Sequence, residues 1–177
     1  MKTLIAVIIL SGLIFSCSET KKESTAKQKL LIQNSTERNF SNSNSKDKFI
    51  ISIIGNTILE GEMVFQIINS EGEELLNEKY PSNYLIGFGY DQYTTIAGQE
   101  KFIKKRVKEF FKDENFFEPA ISADEEYDID YSNENIWNDI KSDPTTIGFY
   151  YLIGEERGCR IAYSKKENKV LTYFCCC

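Results

Sequence analysis

The chain has 177 residues, five cysteines, no histidine and a formal net charge of −6, which is room for one folded domain and an extension. Without histidine there is no Ser-His-Asp triad, no Cys-His dyad, no imidazole-ligated metal and no imidazole general base. The acidic balance argues against nucleic acid as a partner, because a nucleic-acid binder carries a basic footprint.

At the N-terminus one base, Lys2, precedes an apolar run from Leu4 to Phe15 that is broken only by Ser11 and Gly12. A bilayer span needs about 18 such residues, so the run is short for one. Its charge, length and small-residue end fit a secretory signal. It closes on Ile14-Phe15-Ser16-Cys17, which resembles the lipobox of bacterial lipoproteins: an aliphatic residue, a tolerant position, a small residue, then cysteine. The resemblance implies a removable signal peptide over 1–16, with Cys17 as the first mature residue, acylated with palmitate-class chains. Each buried methylene contributes about 0.8 kcal/mol, and two or more chains anchor stably. Ser18 stands where an aspartate is associated with inner-membrane retention in enterobacteria, so the resemblance implies the outer membrane, facing the periplasm. With its Lys/Asn/Ile-rich composition the chain is similar to small lipoproteins of the Bacteroidetes type. The alternative is an ordinary cleaved signal peptide with a coincidental cysteine.

Residues 18–48 are dominated by Ser, Asn, Thr, Lys and Glu, with only Leu30-Leu31-Ile32 and Phe40 notably apolar. So little apolar surface does not offset chain entropy, and residues 17–48 are expected to be a lipid-anchored disordered tether. Seven bases against four acids give it a charge of +3. A coil of about 30 residues reaches about 30 Å and would lift a folded body clear of the headgroups.

Residues 49–177 are expected to form a single domain. Three strands come first, Phe49 to Gly55, Met63 to Asn69 and Glu74 to Tyr80, with a turn at Ser70 to Glu73 and a stop at Pro81. Phe102, Ile103, Val107, Phe110 and Phe111 fall at helical spacing, which predicts a long helix from about Ala97 to Lys112. A short helix follows from Asn133 to Lys141, with Ser132 as N-cap. Strands at about Thr146 to Ile153, Cys159 to Ser164 and Lys169 to Cys175 complete the order βββ-α-α-βββ. The expected fold is α+β: an antiparallel sheet of about six strands with both helices on one face.

Several features carry candidate chemistry. The outer face of the long helix bears Lys101, Lys104, Lys105 and Lys108, either a docking face for an acidic partner or a solvated face in which Glu100 and Lys104 pair at i,i+4. Tyr84, Tyr90 and Tyr93 lie in a loop-like stretch and offer contact area for a glycan or protein, or else cover a sheet edge. If the last hairpin turns at Lys166 to Asn168, Cys159 faces Cys175 or Cys176, close enough for a cross-strand disulfide. Unpaired thiols remain an alternative. A Cys₄ metal site is poorly served by consecutive thiols, whose neighbours point to opposite faces. Asp128, Asp130, Ser132 and Asp139 loosely echo a calcium loop, but Asn133 stands where glycine is needed. No metal or other cofactor is therefore expected.

The leading expectation is a membrane-anchored envelope protein with a non-enzymatic binding or accessory domain for an envelope protein or glycan. A second is an inhibitor or immunity protein whose acidic body blocks a basic toxin or hydrolase. A hydrolase that works through carboxylates alone is the third.

Overall fold

The computed structural model describes residues 29–154 and 157–176, leaving aside the side chains of 88–91. Cys17, the signal segment, Cys177 and the side chain of Tyr90 therefore lie outside the described residues. The fold is α+β, with two four-stranded antiparallel sheets and two α-helices. The first sheet is a meander of β1 (Leu30–Arg38), β2 (Asp47–Ile54), β3 (Glu62–Ile68) and β4 (Glu74–Pro81) in sequence order. The second holds β5 (Phe116–Phe117), β6 (Gly148–Ile153), β7 (Arg157–Ser164) and β8 (Lys169–Cys176), again in order. Between β4 and β5 come 3₁₀ turns over Ser82–Asp91 and α1 (Ile96–Glu109), and α2 (Glu134–Lys141) lies between β5 and β6.

The strands follow from β-branched, alternating sequence. Phe49, Ile51 and Ile53 of β2 point to one side and are fully buried, as are Met63, Phe65 and Ile67 of β3. Phe149, Tyr151 and Ile153 of β6, with Cys159 and Ile161 of β7, join them in one core that α1 closes with Ile103 and Val107. Phenylalanines hold this core together. The Phe49 ring meets Phe40, Phe111, Phe116 and Phe149 edge-on at centroid distances of 5.1 to 6.0 Å, the arrangement that sets a positive ring edge against a negative face.

Strand β1 departs from the sequence expectation, since residues 30–38 were read as tether. Leu31 and Ile32 pack on the core, and the strand pairs with β2 from Leu30↔Ile54 to Arg38↔Asp47. Asn34 donates its side-chain amide to the Val107 and Lys108 carbonyls at 3.0 and 3.1 Å. These partners are far away in sequence, so composition alone undervalues the segment. Phe40 and Asp47 are buried as well. The Asp47 carboxylate accepts from the Ser41 amide and hydroxyl, which fixes the β1–β2 connection.

The second difference is the division into two sheets. The short strand β5 pairs Phe116 with Phe149 and Phe117 with Gly148, so β6 is flanked by a neighbour with no length-based signal. Gly148 is required there, because a Cβ would collide with the Phe117 ring. The third is the placement of the helices. Helix α1 belongs to the main core, whereas α2 packs Trp137 and Ile140 into a second cluster with Ala120, Ile121, Ala162 and Tyr173. Ala162 alternates with Ile161 along β7, so the two clusters lie on opposite faces of the second sheet. Asn133, rather than Ser132, caps α2, its side-chain oxygen accepting from the amides of Asn135 and Ile136.

Gly72 takes a φ of 87° in the β3–β4 turn, the left-handed region that glycine enters without a Cβ clash. Across β7 and β8, Cys159 stands opposite Cys175, and the two form a disulfide over a sequence separation of 16. A link of that span stabilises by about 3 kcal/mol through the unfolded chain. No helix among the described residues is long and apolar enough to cross a membrane.

Candidate functional site

Helix α1 begins where Thr95, in extended conformation, accepts the Gly98 amide on its side chain. Its buried positions Ile103 and Val107, followed by Phe110, fix its rotation against the core. Residues 101, 104, 105 and 108 then share the opposite face by i+3, i+4 and i+7 spacing. All four lysines are exposed. The ion pairs of this region among the described residues go to Lys112, with Glu109 at 3.8 Å and Glu114 at 3.6 Å. The expected Glu100–Lys104 pair does not form at ion-pair distance among the described residues; Glu100 is half-buried and Lys104 exposed. Arg106 and Lys108 sit in the last turn, where positive charge complements the helix dipole.

The tyrosines separate. Tyr93 stacks on Phe102 of α1 at 4.7 Å, and its carbonyl accepts from the Gln99 side chain. It therefore braces the flank of the lysine face. Tyr84 is 44% exposed and stacks instead on Tyr80 of β4 at 6.4 Å. Cys175 is in the disulfide with Cys159. Cys176 is a free thiol among the described residues, lying 3.6 Å from the Gly158 carbonyl.

Sequence reasoning missed a polar clasp between the two sheets. Glu78 of β4 accepts hydrogen bonds from the hydroxyls of Tyr80, at 2.9 Å, and Tyr151 of β6, at 2.8 Å. Burial, followed by the hydrogen bond and charge of Glu78, pushes the Tyr80 phenol up to about 12. Burial and Glu78 push Tyr151 further in the same direction. Both phenols therefore stay neutral donors at physiological pH. The i,i+2 spacing of Glu78 and Tyr80 placed them on one strand face, but nothing local pointed to Tyr151, 73 residues away.

The acidic stretch after Ser122 is put to structural use at several points. Glu125 pairs with Arg160 at 2.6 Å, and that guanidinium also lies 4.9 Å over the Phe174 ring. Asp128 accepts the Asp130 amide, and Asp139 accepts the buried Ser164 hydroxyl. Asp124, Glu126, Asp128 and Asp130 are exposed. No group of three or more Cys, Asp or Glu side chains among the described residues is gathered for a metal ion.

Open clefts mark the surface among the described residues. One of about 530 Å³ lies at the end of the first sheet beside Asn56, Glu60, Glu62, Lys79 and Tyr80. Two others, of about 370 and 410 Å³, share Ser41, Asn42, Tyr163 and Lys165. Their linings mix amides, hydroxyls and scattered charges with apolar side chains such as Ile54, Phe40 and Ile147. No family model, curated protein or solved structure matches this chain.

Proposed function

We propose that the protein is a lipid-anchored lipoprotein of the bacterial cell envelope, held through Cys17 in the outer membrane and facing the periplasm, with a non-enzymatic binding domain. The observation that carries the binding role is the lysine face of α1. Four exposed cations sit on a helix whose rotation is fixed by a buried apolar stripe, without carboxylate partners among the described residues. The Cys159–Cys175 disulfide supports an exported location, because such bonds persist in oxidising compartments. The non-enzymatic reading is supported by how Asp47, Glu78, Glu125 and Asp139 are committed to structural hydrogen bonds or ion pairs.

Metabolic labelling with palmitate tests the anchor: wild type incorporates label and Cys17→Ala does not. Label that survives the substitution overturns attachment at Cys17. A second reading, an inhibitor of a basic toxin or hydrolase, is favoured by the exposed carboxylates of Asp124, Glu126, Asp128 and Asp130. For that reading, affinity capture from envelope extract recovers one stoichiometric basic protein, and reversal of those four charges abolishes its recovery.

A further inference from the structure

Strand β1 carries the folded body from the expected position 49 back at least to Lys29, whose carbonyl accepts the Gly55 amide. At most about 12 residues then separate Cys17 from the fold, a span of no more than about 40 Å. The strand that this short leash enters lies against α1. Asn34 binds the carbonyls of Val107 and Lys108, and Arg38 pairs with Asp113 just beyond the helix. The leash and the lysine face therefore belong to neighbouring elements.

We infer that Lys101, Lys104, Lys105 and Lys108 dock against the anionic lipid headgroups of the membrane that holds Cys17; this rests on the lipid-anchor reading. Residues 29–177 carry 17 bases against 25 acids, so most orientations of the body are repelled by an anionic surface. The α1 face is the concentrated exception, and it selects one orientation. Attraction of this kind acts within about a Debye length, 8 Å at physiological salt, and a connection of no more than about 40 Å keeps the body close to the membrane. Because the encounter is intramolecular, a face too weak to bind from solution is effective on the tethered body.

The lipidated full chain is reconstituted in vesicles of phosphatidylglycerol and phosphatidylcholine, or of phosphatidylcholine alone, and lysine acetylation is read residue by residue. Lys101, Lys104, Lys105 and Lys108 are expected to be protected about tenfold on the anionic vesicles relative to the neutral ones. Lys166, exposed on the β7–β8 turn, is expected to stay reactive on both, and 0.5 M salt is expected to remove the protection. Equal reactivity on the two vesicle types, protection spread evenly over all lysines, or protection that appears only with envelope protein overturns the proposal. Palmitate labelling of Cys17 in the same protein separates the two readings. Label-free Cys17 with a protected face refutes the anchor alone, whereas labelled Cys17 with an unprotected face refutes the docking alone.

Discussion

At the scale of single residues, Glu78 has the widest reach. Its one carboxylate oxygen holds a phenol from each sheet, and both phenols are pushed upward by burial and by its charge. For a phenol, a folded pKa above the unfolded value of about 10 means that the folded state keeps its proton longer. The resulting stabilisation is complete below pH 10 and is lost as pH rises toward about 12, where Tyr80 ionises. Glu78→Gln keeps an acceptor but removes the charge. Spectrophotometric titration of tyrosinate should therefore find ionisation of the two phenols displaced to lower pH in the variant. Coincident titration curves for variant and parent would show that Glu78 does not govern them.

Among the elements, β1 is the most informative. Its residues alternate between partly buried and exposed, and its apolar content is confined to Leu30, Leu31 and Ile32. It persists because β2 offers a full ladder and α1 offers carbonyls to Asn34. Removing residues 29–39 would strip β2 of its outer neighbour and leave Phe49 and Ile51 beside an open edge, a template for aggregation. The expected result is loss of a cooperative urea transition, or a shift of its midpoint to much lower urea. A truncated protein with the parent's midpoint would mean that the segment is a leash after all. The same element sets the upper limit on the chain between Cys17 and the fold that enters the proposed membrane docking, so the two questions are linked through one strand.

Over the whole molecule, two apolar clusters share the second sheet. The main one joins both sheets and α1 through the phenylalanines, and the smaller one seats Trp137, the only tryptophan, against Tyr173 at 6.1 Å. Phe149→Ala empties the main cluster at its centre and should destabilise by about 3–5 kcal/mol, a large share of the ordinary 5–15 kcal/mol total. Trp137 fluorescence reports from the opposite face of the sheet. If the domain unfolds as one unit, its transition moves with the far-UV circular dichroism transition in the variant. A tryptophan transition left at the parent's midpoint would show two independently unfolding parts.

Local chemistry made much of this protein legible in sequence. Helix α1 showed in the 3.6-residue spacing of Ile103, Val107 and Phe110, and the lysine face followed from it because i,i+4 neighbours must share a side. The Cys159–Cys175 pairing was within reach as one of two registers, since a hairpin's turn determines which residues face each other. Other features lay beyond local reasoning. Asn34 is useful only because Val107 is beside it, Phe117 forms a strand only because Gly148 leaves room, and Glu78 finds Tyr151 only once two sheets meet. The expectation that α2 shares a face with α1 failed for the same reason, because an apolar edge states that a helix must be covered but not by which face of which sheet. Periodicity and turn chemistry act over a few residues and survive in the bare sequence. Edge pairing, the division into two sheets and the clasp depend on contacts between distant segments, whose free energy exists only after the chain has folded.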